Sequence, residues 1–345
     1  LIAAPTWTPR PQMVSMLLLG LTYLILFLYR RDKKRRLLLF IPPMMILWAN
    51  LHGGYILGLV AIGTLIAGEI GDHLLLNTTE DSLKWLQIRD LAILFLISTL
   101  TTLITPYGFG TWEISFSTFN MQVNDLISEW LSPNFHEAST MPYFISILML
   151  VGTLALGKRR GPAWEAVTIV IFLYFSLNSR RQIGAYAIAV TPILARNLWV
   201  FLEKWWGRLE VFLEKEHLKV LDWIQKVSTP KASKENKWVN LLVVALFAIV
   251  CWGKLVYVSV DYLVEEVLNP MTFPVEAVRV MNELDTEGQL FNEYDWGGYL
   301  SWWAQDTPIY IDARADLFGD EFIFRWNGLC EGTEDWQAEF DKWGI

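Results

Sequence analysis

The chain has 345 residues, 53% of them hydrophobic and 14% aromatic, with 18 Trp, 19 Phe, a mean hydropathy of +0.32 and a net charge of −8. So much apolar surface exceeds what one soluble core of this size consumes, whereas several lipid-facing helices would consume it, so an ordinary soluble domain is excluded. The two cysteines, Cys251 and Cys330, lie far apart and carry neither a disulfide framework nor zinc-type spacing.

A membrane-spanning helix needs ~20 apolar residues, with ~17 as the lower end. Runs at 11–29, 37–50, 54–75, 91–107, 141–157, 162–178, 182–201 and 238–258 predict an α-helical polytopic membrane protein of about eight spans. The basic gaps RRDKKRR (30–36), KRR (158–160) and the Lys-rich 202–237 fall in every second interval, which the positive-inside rule makes cytoplasmic. The same parity puts Lys84 and Arg89 inside. It puts the acidic loop 108–140, with Glu113, Asp125, Glu129 and Glu137, outside, together with both ends of the chain.

The run 37–50 carries Pro42 and Pro43 and is short for a span. Fusing it to 54–75 would reverse every later basic gap, so two segments joined by a turn at Leu51-His52-Gly53-Gly54 are expected. Short helices at membrane depth are tolerated where they pack on protein or line a cavity, which marks that turn as a place for function. Further on, Leu202, Trp205, Trp206, Leu209, Phe212 and Leu213 recur at helical spacing and predict a segment lying in the interface plane over 202–237.

From Asp261 onward there are 19 acidic and 4 basic side chains, a shift that predicts a domain boundary near 260. This tail, 261–345, holds six Trp and is not of disordered composition. A helix over 274–284, a strand at 289–291, a helix entered at Gly297 and a strand at 308–311 predict a small extracytoplasmic α/β domain, read as incomplete at Ile345.

Three constellations could carry chemistry. In the tail, NEYDWGGYL (292–300) precedes IDARAD (311–316). Gly297 and Gly298 would let a backbone approach a ligand, and the amides of the following helix could take an anion. Asp295, Asp312 and Asp316 could act as bases or hold a divalent cation, and Arg314 could face a phosphate. Against this stands a structural reading in which Asp295 caps the helix and Asp312 pairs with Arg314. The second constellation is WANLHGG (48–54), where Asn50 and His52 could contact a head group or simply bond helix to helix. The third is Arg10, Arg180 and Arg181, which fall on the outer side against the positive-inside trend and could meet a lipid phosphate.

The segments TPRPQ (8–12), LWANLHGGYILGL (47–59), YDWGGYLSWW (294–303) and IDARAD (311–316) resemble a group of bacterial polytopic membrane proteins of the GT-C glycosyltransferase-like class. The resemblance covers most of the chain. It implies transfer of a sugar from a polyprenyl-phosphate carrier to an acceptor on the outer face, with membrane lipid and polyprenyl-phosphate-linked sugar as partners; the acidic tail and the spans themselves exclude a soluble nucleic-acid binder. It also implies a catalytic carboxylate in a first outer loop, which would precede Leu1, so the chain is read as a fragment. On this view Arg10, Arg180, Arg181 or Arg314 would meet the phosphate, and Asn50 with His52 would orient the sugar or carrier. The alternative is a non-enzymatic carrier or assembly subunit for a surface polysaccharide.

Overall fold

The computed structural model describes residues 1–3, 6, 10–75, 82–156, 161–215, 273–284 and 288–345, with isolated positions at 242, 245, 246 and 249. Backbone contacts divide the chain into two compact units, Leu1–Lys215 and Glu216–Ile345. The division falls well before residue 260. The eighth expected span, 238–258, lies outside the described residues apart from those isolated positions.

The first unit is a helical bundle. Its helices are α1 (Gln12–Asp32), α2 (Ile41–Leu51), α3 (Tyr55–Leu74), α4 (Trp85–Thr101), α5 (Gly110–Asn120), α6 (Met141–Leu156), α7 (Ala163–Asn178) and α8 (Ile183–Lys215). Among the described residues four helical stretches are long and apolar enough to cross a membrane: Gln12–Asp32, Tyr55–Leu74, Ala138–Leu156 and Arg180–Glu203. The surface of the bundle as a whole fits lipid. Leu17, Leu24, Phe27, Leu96 and Leu148 are exposed, while Thr22, Ser98, Ser146 and Ser176 are buried.

Pro42 and Pro43 stand in the first turn of α2, where their missing N–H groups have no intrahelical partner, so they start this helix instead of breaking it. At 11 residues α2 is ~16 Å long, about half a hydrocarbon core. His52 then turns to extended backbone (φ −164°, ψ 140°) and α3 folds back. A methyl group on Gly58 of α3 would collide with Trp48 and Met45 of α2, a proximity that one continuous helix forbids. The two-segment expectation for 37–75 therefore holds.

Two segments gain detail here. The acidic loop 108–140 contains α5 and the 3-10 turns Gln122–Asp125 and Ala138–Thr140. Residues 202–215 continue α8 as part of one 33-residue helix, and the rest of the expected interfacial segment, 216–237, lies outside the described residues. α7 packs on α3 and α8, and Gly68 makes this close approach possible, because any Cβ there would strike the Trp164 backbone.

The second unit contains α9 (Val275–Leu284), α10 (Gly297–Trp303), α11 (Ala315–Glu331) and α12 (Trp336–Trp343). Gly319, at φ 75°, breaks α11 after its first turn. No sheet forms among the described residues, so the α/β expectation is corrected. The segments expected as strands meet in one parallel bridge, Leu290 to Ile309. Beyond it the buried Asn292 side chain replaces the ladder: its Oδ1 accepts from the Tyr310 N–H (3.1 Å) and its Nδ2 donates to the Ile311 carbonyl (2.8 Å). An aromatic cluster packs beside this bridge, with Tyr310 against Phe322 (4.9 Å) and Phe291 against Phe340 (5.1 Å).

Candidate functional site

The turn between α2 and α3 is held by a hydrogen-bond chain. Trp48 Nε1 donates to Ser15 Oγ at 2.7 Å, and Ser15 Oγ lies 2.7 Å from His52 Nδ1. The Gly54 N–H also donates to Nδ1, at 3.0 Å. A side chain on Gly54 would collide with Ser15 and His52, so glycine is required for this approach. Because Nδ1 accepts, the network assigns the proton to Nε2. Burial, with the Arg181 guanidinium adding to it, pushes the imidazole from its ordinary 6.5 down to about 4. His52 is thus a neutral ring with a fixed tautomer, and its Nε2–H meets no protein acceptor among the described residues.

The other sequence candidates gather at the same end of the bundle. Asn50 Nδ2 donates to the carbonyls of Ile46 and Ile104, both at 2.8 Å, and so ties α2 to the chain after α4. Arg10 pairs with Glu129. Arg180 pairs with Glu137 at 2.9 Å and donates to Ser139 Oγ at 3.2 Å. The Arg181 guanidinium lies 5.1 Å from the centre of the Trp130 ring, and its backbone N–H donates to the Glu129 carbonyl at 3.0 Å. These arginines bind the 121–140 segment to the bundle, so a phosphate reaching Arg10 or Arg180 would have to displace a carboxylate. Ser15, Glu129, Trp130 and Glu137 are partners that sequence spacing did not single out, because each sits far along the chain from the residue it meets.

In the tail the outcome differs. Asp312 is buried, and Arg314 Nε lies 2.9 and 3.0 Å from its two oxygens, with the Arg314 N–H at 2.9 Å. That pairing holds the Asp312 carboxyl below the usual carboxylate range, which makes it a weak base. Asp295 does not cap α10, whose N-cap position is Trp296 and has no side-chain cap bond. Asp295 and Asp316 are exposed. With Asp312 they lie close enough to Tyr294 that, after burial, their charges help raise its hydroxyl to about 12. Gly297 packs against the Asp312 backbone, and its N–H is spent on the Tyr294 carbonyl. Gly298 has open space around it. Gly297 therefore serves packing, while the backbone at Gly298 stays open to approach. No group of three His, Cys, Asp or Glu able to hold a metal ion occurs among the described residues.

The opposite end of the bundle holds charged groups outside the three constellations. Glu69 is fully buried and accepts from Arg30 Nε at 2.6 Å and from the Leu83 N–H at 2.8 Å. Asp72 accepts from the Ala163 N–H at 2.9 Å, and Arg196 pairs with the buried Glu165. Beside them a cavity of about 490 Å³ opens between α1, α3, α7 and α8. Acidic residues inside an apolar run were the available signal, but their partners were fixed only by packing.

Comparison with protein-family models, with curated proteins and with solved structures found no match for this chain. What the fold defines by itself is a helical bundle with four helices fit to cross a membrane, consistent with a membrane protein.

Proposed function

We propose that this chain is a multi-pass cell-membrane protein of glycosyltransferase type, moving a sugar from a polyprenyl-phosphate donor to an acceptor on the outer face, with the tail also outside. The observation that carries the reading is the His52 turn. A neutral imidazole of fixed tautomer presents Nε2–H beside the Arg181 guanidinium, at the bundle end opposite the basic stretch Arg30–Arg36. In such a reaction a carboxylate takes the proton of an acceptor hydroxyl, which attacks the anomeric carbon while the lipid phosphate departs. His52 Nε2–H would donate to a sugar or phosphate oxygen, and Arg181 would offset the developing charge. The test is transfer from labelled donor in membranes carrying the complete protein. His52→Ala is expected to lower the rate ~100-fold, the scale of losing one oriented donor. His52→Gln, which keeps an N–H, is expected to retain part of it. An unchanged rate in His52→Ala sinks the proposal.

A second reading, a non-enzymatic carrier or assembly subunit, draws on the Arg30–Glu69 and Arg196–Glu165 pairs set into the helices, since ionisable residues at such depth commonly mark a transport path. A carrier would move labelled lipid between leaflets of proteoliposomes without consuming it. It would respond to Glu69→Gln and be indifferent to His52→Ala.

A further inference from the structure

The cavity between α1, α3, α7 and α8 is nearly all apolar and lies within the usual ~300–1,000 Å³ range of ligand pockets. It runs along α1 from Gly20 to Arg30, ~15 Å, which is one leaflet of a bilayer. Its open side is formed by Leu24, Phe27 and Pro192, which are exposed on the face that lipid would cover. At its charged end stand Arg30, Trp164, Glu165 and Arg196. Arg30 commits only Nε to Glu69, and the Arg196 side chain is half exposed.

Three polar groups in the wall are buried short of a full hydrogen bond: the Trp164 Nε1–H, and the Tyr23 and Thr168 hydroxyls, which face each other with Thr64 beside Tyr23. Such groups are costly to leave unmet, and three lining one cavity point to an occupant bearing acceptors. Their depth identifies it. Tyr23 lies seven residues before Arg30, ~10 Å inward, and Thr168 lies four residues beyond Trp164, ~6 Å inward. An isoprenoid chain has no oxygen at that depth below its phosphate. A glycerolipid has ester carbonyls there.

We propose that this cavity holds one glycerophospholipid of the adjacent leaflet, its acyl chain along α1 and α8, its ester carbonyls accepting from Tyr23, Trp164 and Thr168, and its phosphate at Arg196 and Arg30. The site is separate from the His52 turn and stands whichever function holds. Pro192 adds a feature of the same kind, since it brings no N–H to the Ile188 carbonyl in the cavity wall.

The test uses the full chain in nanodiscs containing phosphatidylglycerol with a photoactivatable group in mid-chain or, in a second set, photoactivatable polyprenyl phosphate. Labelled peptides are then mapped. Phosphatidylglycerol is expected to label 20–27 and 188–193, and Gly20→Phe, whose side chain enters the cavity, is expected to cut that labelling at least tenfold. The shape-preserving pair Tyr23→Phe with Thr168→Val is expected to cut retention severalfold with little change in the melting temperature of delipidated protein, since only the loose contacts of these hydroxyls with each other and with Thr64 are lost. If Gly20→Phe does not fold, the pair decides alone. Equal labelling in wild type and variants overturns the proposal as ordinary annular lipid, and labelling by polyprenyl phosphate alone overturns the ester assignment.

Discussion

The two ends of the helical bundle use charge in opposite ways. At the His52 end the arginines sit on loops and helix starts, and the Arg10–Glu129 pair has side chains 54% and 39% exposed. At the other end the acids are inside: Glu69 and Glu165 are 0% and 3% exposed, each closed by an arginine from another helix. Exposed pairs exchange partners with water at little cost, so the His52 end can rearrange around a ligand. Buried pairs lock helices, because removing one partner strands the other charge.

The largest effect that would break this contrast is at Glu69. Glu69→Ala leaves Arg30 and the Leu83 N–H unmatched and is expected to cost ~3–5 kcal/mol, the range for half of a buried pair, read as unfolding in detergent. Gly68→Ala should follow, at ~1–3 kcal/mol, by forcing α3 and α7 apart. In the tail, Asn292→Ala removes the amide that bridges its two extended segments and is expected to cost ~1–3 kcal/mol. Arg10→Ala should cost less than ~1 kcal/mol, since its pair is exposed, so a loss of transfer in that variant reports on ligand contact and not on folding.

Acid sharpens the comparison by a different route. His52 titrates at about 4 when folded and near 6.5 otherwise. Between those values the unfolded chain binds more protons, so the stability of the first unit falls as pH drops from 6.5 toward 4. His52→Gln should flatten that slope. Asp312 titrates below its ordinary value, so its contribution is present above that value and is lost only as pH falls through the lowered one. The two units should therefore respond to acid in different windows, which unfolding curves followed by tryptophan fluorescence in each unit would show.

Much of the bundle was legible in its apolar runs, because their length follows from bilayer thickness. The α2–α3 turn was readable from LHGG, where glycine and extended backbone stop a helix. α5 was not readable, since Glu113 and the alternating polar residues of 110–120 give no clean apolar face. The tail misled for a physical reason. Leu290 and Ile309 do pair as strands would, but Asn292 then takes the backbone bonds with its side chain, and nothing in the strand-like pattern announces that substitution. At the candidate site the residues were mostly legible and their partners were not. Ser15 meets His52 across 37 positions, and Arg30 meets Glu69 across 39, distances that only packing closes.

The function proposed for the His52 turn requires that this end face outward. The direct measurement is labelling of intact cells with a membrane-impermeant maleimide, using the full chain with Cys251 and Cys330 replaced by serine and a single new thiol from Ser132→Cys or Lys34→Cys, both exposed and at opposite ends. The account predicts that Ser132→Cys labels in intact cells and Lys34→Cys only after permeabilisation. The reverse pattern would put His52, Arg181 and their neighbours in the cytoplasm and contradict it.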